Sequence, residues 1–238
     1  MIYVGVDDTD IVGSPGTNQL ARSILKQLGA AAEGAVLCRH QLFFDRRVPY
    51  TSKNGSASMV LPYATSAGLD ALVDCVRSVM RAWFIEGSDP GLCVTPTVSE
   101  DVQAFGRRCQ HEVVSQEEAH ALADRLGVHL EGLGGTEQGV IGALAAVGLA
   151  ATGEDGRVVQ LTAWPYPDEF SGPQDVAAIR ARGIDEIRQI DSGALVTAGV
   201  IDIGKHLRPN IRHGRIVLLV APAVDAGESV TWRAEKLT

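Results

Sequence analysis

The chain has 238 residues, 45% of them apolar and 21% charged, and 21 basic against 29 acidic side chains give a net charge of -8. That length suits one large domain or two small ones with a sizeable core, and the composition is that of a globular protein. No apolar run reaches the roughly 20 residues that span a bilayer, and the acidic balance argues against a large nucleic-acid footprint built on many phosphate contacts.

The first residues, MIYVGVDDTD, lack a basic segment and turn acidic at once. No signal peptide is expected from them, and a cytoplasmic location is. Cys38, Cys75, Cys93 and Cys109 are widely spaced and form no C-x-x-C, so they are expected reduced and packed.

In chain order, Ile2 to Val6 predicts a strand and GSPG (13–16) a turn. A helix follows from Thr17, with Leu20, Ala21, Ile24, Leu25 and Leu28 on one face, and Gly29 ends it. Val36 to Phe44 reads as a strand, then comes the polar loop VPYTSKNGSAS and the apolar run Met59 to Pro62. Gly68 to Phe84 is the clearest helix, its apolar residues recurring at 69, 72, 73, 76, 79, 80 and 84. Leu92 to Val94 predicts a short strand, and Ser115-x-x-Glu118 a capping box that opens a helix to about Leu126. The glycine-rich stretch GLGGTEQGVIGALAAVG reads as a loop leading into a tightly packed helix from Gln138. Strands are expected at Val158 to Ala163, Leu195 to Ile203, Ile216 to Ala221 and Ser229 to Arg233, and a helix at Gln174 to Arg182. Helices and strands alternate early and strands cluster late, which predicts an α/β or α+β fold with a mixed sheet.

Ligands of open α/β sheets bind beyond the carboxyl ends of the strands. Asp7, Asp8 and Asp10 stand at such an end, followed by a glycine turn and a helix start. Three carboxylates within four residues repel one another and call for a cation, a partner base or a raised pKa. Mg²⁺ suits them, since it takes oxygen ligands from one or two carboxylates plus phosphate oxygens. The amides from Gly16 to Gln19 at the helix start favour an anion. Thr17 at that junction caps the helix, binds metal or accepts a phosphoryl group. Asp8-Thr9-Asp10 also resembles the D-x-D of haloacid-dehalogenase-type phosphatases, although the late G-D-x-x-x-D motif is missing.

Lys53, between hydroxyl residues and a glycine, suits a phosphate as a mobile point charge. Glycines at 132, 134, 135, 139 and 142 permit close backbone approach before a helix, with Thr136, Glu137 and Gln138 placed to touch a nucleotide. The loop matches neither a Walker A nor a G-x-G-x-x-G fingerprint. Cys38-x-His40 and Cys109-x-His111 form a weak zinc pattern. Asp168-Glu169, Arg107-Arg108 and the group Arg208, Arg212, His213 and Arg215 are read as solvated or paired charges by default.

Taken in order, GVDDTD, GSPGT, VPYTSKNGSAS, SDPG and GGTEQGVIGALAAVG resemble the catalytic region of the archaeal tRNA(Ile2) 2-agmatinylcytidine synthetases, from Ile2 to about Leu149 and more faintly to Arg188. That family's pattern is G-I-D-D-T-D, a Cys-Thr-Thr helix start, I-P-[WY]-x-x-[KR]-x-N-G/A, N-P-G and G-N-G-x-I-G-A-L-A. The resemblance implies a kinase-like domain with a ferredoxin-like portion, the first over about 1–60 and 95–238 and the second over about 60–95. It implies ATP and Mg²⁺ as cofactors and phosphoryl activation of an acceptor, which in the family is a tRNA cytidine displaced by agmatine. It carries Asp7, Asp8 and Asp10 over as metal and phosphate ligands, Thr17 as the threonine that becomes phosphorylated, and Lys53 as the loop's basic residue. Gly139 and Ile141 match the G-N-G-x-I loop, with Gln138 in place of its Asn and Glu137 in place of its first Gly. Gly16, Gly135 and Thr136 complete the nucleotide set. Gly16 replaces the family's Cys, and Trp164-Pro165 a Tyr-Arg pair. The family also carries an OB-fold and a zinc ribbon that grip tRNA, and these residues hold no cysteine tetrad for such a ribbon. The expectation is therefore an ATP-dependent phosphotransferase or ligase acting on a small-molecule or tRNA acceptor, with no membrane partner and an open oligomeric state. The alternatives are a non-catalytic nucleotide-binding subunit of a split tRNA-modifying complex and a D-x-D phosphatase.

Overall fold

The computed structural model describes residues 1–48, 53–62, 68–161, 164, 169–223 and 230–236. Residues 49–52 of the lysine loop, Pro165, Asp168 and the first residue of the expected strand at 229–233 lie outside the described residues. The chain divides into two compact units, Met1–Thr152 and Gly153–Thr238.

The first unit is built on β1 (Ile2–Asp7), β2 (Val36–Gln41), β3 (Gly55–Leu61), β4 (Gly91–Thr95) and β5 (His129–Gly132), in the order β5-β4-β1-β3-β2. Every neighbouring pair is antiparallel. This differs from the parallel arrangement behind the strand-end rule. The carboxyl end of β1 therefore lies beside the starts of β3 and β4, with Asp7 opposite Gly91. That reversal brings the segments before β3 and β4, which carry Lys53 and Asp89, to the acidic end of β1.

Helices α1 (Thr17–Leu28), α2 (Gly68–Ala82), α3 (Glu100–Arg108), α4 (Gln116–Leu126) and α5 (Gly139–Thr152) complete the unit. Helix α1 buries Leu20, Ala21, Ile24 and Leu25, and α2 buries Leu72, Val73, Val76 and Met80, as their spacing predicts. Phe84 falls beyond α2 and is 43% exposed. A Cβ at Gly134 would meet its ring, so it covers the glycine loop rather than the helix core. Ser115 and Glu118 form the expected capping box at the start of α4.

Helix α5 is apolar on all sides, as befits a buried helix. It crosses β1, β3 and β4 and carries α3 on its outer side. Small residues allow this approach. A Cβ at Gly5 would meet the Ala143 carbonyl, one at Gly91 the backbone of Gly139, and one at Gly148 the Val102 carbonyl. The associated core joins Phe105, Val102 and Cys93 to Leu144, Val147 and Leu149.

The second unit holds β6 (Arg157–Leu161), β7 (Pro173–Asp175), α6 (Val176–Arg180), β8 (Glu186–Gln189), β9 (Val200–Asp202), β10 (Asn210–Arg212), β11 (Arg215–Pro222) and β12 (Trp232–Ala234). Its strands run β6-β10-β11-β12-β9-β7, with β8 also on β11. The β8–β11 and β12–β9 pairs are parallel and the others antiparallel, which is the mixed sheet expected. Val176, Ile179, Ile187, Ile201 and Leu218 form its core. The helix expected from Gln174 to Arg182 is shortened to α6, because Pro173–Asp175 pairs with β9. The strand expected from Leu195 to Ile203 survives only as β9, while Leu195 makes an isolated bridge to Arg188. Among the described residues no helix is long and apolar enough to cross a membrane.

Candidate active site

The end of β1 and the start of α1 are joined by a short chain of hydroxyl and carboxylate groups. Thr9 Oγ1 donates to Thr17 Oγ1 at 3.1 Å, and Thr17 Oγ1 donates to Asp10 Oδ1 at 3.0 Å. Thr9 and Thr17 are both buried. The intervening turn is closed by the Ile11 amide donating to Ser14 Oγ at 2.9 Å and the Ser14 amide donating to the Ile11 carbonyl at 3.0 Å. Gly16 is the N-cap of α1 and supplies no side-chain cap to the first-turn amides. Asp8 lies between these parts with φ 51°, a conformation that suits glycine and costs other residues.

The opposite wall comes from the approach to β3 and from the segment after α3. Asn54 donates through Nδ2 to the Phe43 carbonyl at 2.7 Å, and its own carbonyl accepts from the Leu42 amide at 2.9 Å. These bonds fold the chain after β2 back on the lysine loop. The strand predicted to Phe44 therefore ends at Gln41, and Leu42, Phe43 and Val48 become a wall of the cleft. The cleft is open to solvent and has a cavity volume of about 90 Å³. Asp7, Asp8, Asp10, Thr17 and Lys53 line it with Gln138 and Ile141 from the start of α5, and Cys109, Glu112, Val113 and Val114 close its far side. All five residues expected to be catalytic thus share one cleft.

Burial pushes the Asp7 carboxyl up to about 7, with the negative charges of Asp8 and then Asp10 adding to it. The Asp8 amide and the Arg39 guanidinium act in the opposite direction without offsetting it. Asp8 is pushed up to about 6 by burial and by the charges of Asp89 and Asp10. Arg39 is itself pushed down by burial, against the pull of Asp7. Burial and mutual repulsion therefore disfavour the ionised forms of Asp7 and Asp8 at the deep end of the cleft, and its donors are hard oxygens. Both facts fit a divalent ion such as Mg²⁺. Among the described residues no group of three or more His, Cys, Asp or Glu side chains forms a ready-made metal cage. An ion here would be completed by phosphate oxygens. His40, of the weak zinc pattern, is buried with Nε2 2.7 Å from Ser58 Oγ, and burial pushes the Cys109 thiol up to about 12.

Gly16, Gly135, Thr136 and Gly139 do not line the cleft. A Cβ at Gly139 would meet the carbonyls of Asp89 and Asp7, and one at Gly135 would meet Asp89 and Ser88. The Thr136 amide donates to Asp89 Oδ1 and the Gly139 amide to the Asp89 carbonyl at 2.9 Å. These glycine-loop donors are thus engaged within the protein. Glu137, standing where the resembled pattern has Gly, has φ 62°. Sequence reasoning missed Asp89, Arg39 and Glu112. The SDPG turn was visible as a motif, but its carboxylate gains meaning only when β4 is placed beside β1.

Fold and site together define a class: an α+β protein in which an acidic strand end meets a helix start beside a buried, glycine-backed helix. Among solved structures this fold is shared by the TiaS–tRNA(Ile2)–ATP complex, at 23% identity and TM-score 0.53, over 62% of this chain and 36% of that one. A tRNA fluorescent labelling enzyme matches at 24% identity and TM-score 0.51, over 62% of this chain and 35% of that one. Apo TiaS, a tRNA(Ile2) agmatidine synthetase, matches at 24% identity and TM-score 0.50 with the same coverage. The match spans about a third of those chains, and at such identities it is a likeness of fold. No family model matches the sequence, and no curated protein sequence does.

Proposed function

We propose that this chain is an ATP- and Mg²⁺-dependent enzyme that activates an acceptor by phosphoryl transfer, with tRNA or a small molecule as the acceptor. The observation that carries the reading is the Thr9–Thr17–Asp10 chain at the start of α1. Thr17 Oγ1 receives one hydrogen bond and commits its proton to a carboxylate, which leaves a lone pair for attack on phosphorus or for coordination. Asp10 Oδ1 would take the proton as Thr17 Oγ1 bonds to the γ-phosphorus of ATP and the bond to the bridging oxygen breaks to release ADP; an acceptor oxygen would then take the phosphoryl group and return Thr17 to its hydroxyl form. Asp7 and Asp8 would hold the ion, whose contribution is to offset phosphate charge. Lys53 adds a cation from the opposite wall of the cleft, and catalysis is mostly positioning and electrostatics. A D-x-D phosphatase would need Asp10 as a free acid, whereas its Oδ1 is occupied by the Thr17 hydroxyl. The neighbouring fold occurs in complexes with tRNA(Ile2) and ATP and with tRNA(Ile2), AMPCPP and agmatine, and this supports nucleotide and tRNA as candidates. A cytoplasmic location fits the same reading.

The test is incubation with Mg²⁺ and γ-labelled ATP, followed by mass spectrometry of the modified residue. Label on Thr17 is expected, absent in Thr17→Val, retained in part by Thr17→Ser, and slowed by about 10²-fold or more in Asp10→Asn. A wild-type chain that neither binds ATP with Mg²⁺ nor becomes labelled overturns the reading.

A further inference from the structure

Asp8 keeps a left-handed backbone at the centre of the cleft, so something outside its own turn must hold it. Its carbonyl accepts from the Asp89 amide at 3.1 Å. Asp89 belongs to the turn before β4, and the same residue reaches the glycine loop twice more. Its carbonyl accepts the Gly139 amide at 2.9 Å, at the first residue of α5. Its side-chain Oδ1 accepts the Thr136 amide. The next residue continues the seam, with the Pro90 carbonyl accepting the Leu133 amide at 2.8 Å. Behind it Ser88 is buried and held through Oγ to the Ile85 carbonyl at 2.7 Å. One residue thus joins the end of β1, the glycine loop and the start of α5, which supply Asp8 to one side of the cleft and Gln138 and Ile141 to another.

We propose that Asp89 is a positioning residue of this cleft, and that its tie to the glycine loop works through hydrogen-bond acceptance and does not need the carboxylate's charge. The partner of Oδ1 is a backbone amide, which a carboxamide oxygen satisfies as well as a carboxylate. Two of the three ties use Asp89's own backbone and survive any side chain. The third ties the loop to the turn before β4 through the side chain, at a place where even a Cβ on Gly135 would meet Asp89 and Ser88. Loss of that acceptor frees the Thr136 amide and lets Gln138 and Ile141 drift from Asp8. The functional consequence rests on the phosphoryl-transfer reading, while the tie itself does not.

Hydrogen exchange on the full chain without ligand tests the tie in wild type, Asp89→Asn and Asp89→Ala. Exchange at the Thr136 amide should rise about tenfold or more in Asp89→Ala and stay near the wild-type rate in Asp89→Asn, with protection in β3 unchanged. Calorimetry with Mg²⁺ and a non-hydrolysable ATP analogue should then show affinity lowered about tenfold in the Ala variant and recovered in the Asn variant. The proposal is overturned if Thr136 exchange is unaltered in Asp89→Ala, or if Asp89→Asn is as damaging as Asp89→Ala. It is also overturned if affinity holds in Asp89→Ala while the amide is freed. A wild-type chain that binds no nucleotide defeats the phosphoryl-transfer reading instead, and the exchange result alone then decides for or against the tie.

Discussion

Asp7 is where sequence and environment conflict most. An unfolded chain releases its proton near the ordinary aspartate value of 3.8, whereas the folded carboxyl holds it to about 7 and Asp8 to about 6. Between those values the native state binds more protons than the unfolded one, so both groups make stability fall as pH rises from about 4 to about 7. Asp7→Asn removes the larger part of this penalty. The variant should be more stable than wild type by about 1–2 kcal/mol at pH 8, allowing for relaxation and partial exposure, and the difference should shrink toward pH 4. Urea midpoints at the two pH values measure it, and a variant less stable than wild type at pH 8 would show that the charge is compensated after all. Mg²⁺ added at pH 8 should stabilise wild type and leave Asp7→Asn unmoved. At this scale the acidic strand end and Thr17 were legible, because the chemistry sits in adjacent residues. Arg39, Asp89 and Glu112 were not. Each is one charged side chain on a segment remote in sequence: the antiparallel order of β4, β1, β3 and β2 brings Arg39 and Asp89 to the acidic strand end, and the segment after α3 brings Glu112 to the same cleft.

Helix α5 shows how far a pattern of small residues can be read. Its glycines predicted close packing, and the structure specifies what each one faces. A Cβ at Gly142 would meet the Asp7 carboxylate, and one at Gly148 the Val102 carbonyl of α3. The same substitution should therefore have separable effects. Gly148→Ala should cost about 1–3 kcal/mol in urea unfolding, with nucleotide affinity in the folded protein unchanged. Gly142→Ala should displace Asp7 and weaken affinity for Mg²⁺ with an ATP analogue about tenfold or more. Equal losses of affinity in both variants would mean that α5 acts as scaffold alone. Other elements were less legible for definite reasons. Helix α3 was not anticipated, since its buried set is only Val102, Phe105 and Gly106 among charged residues. Strand β5 is four half-buried residues with no alternation strong enough to read. Leu195 and Val196 mimic a strand in sequence, yet only Val196 is buried while Leu195 is 56% exposed.

At the scale of the whole chain, every residue lining the cleft, from Asp7 to Gly142, lies in the unit Met1–Thr152. Each unit also closes a hydrophobic core from its own residues. The nucleotide site proposed above is thus confined to the first unit. This separation was hidden in the sequence, because the boundary falls in a short polar turn after α5 with no change of composition. Residues 1–152 expressed alone should give a cooperative urea transition and bind Mg²⁺ with an ATP analogue within about threefold of the full chain's affinity. Label transfer to Thr17 should persist in that fragment, because Thr9, Thr17 and Asp10 are all present. A folded fragment that binds more than about tenfold more weakly would show that residues 153–238 contribute a group to the nucleotide site, and the search for phosphate-facing cations would then move to the arginines of β6, β8 and β10.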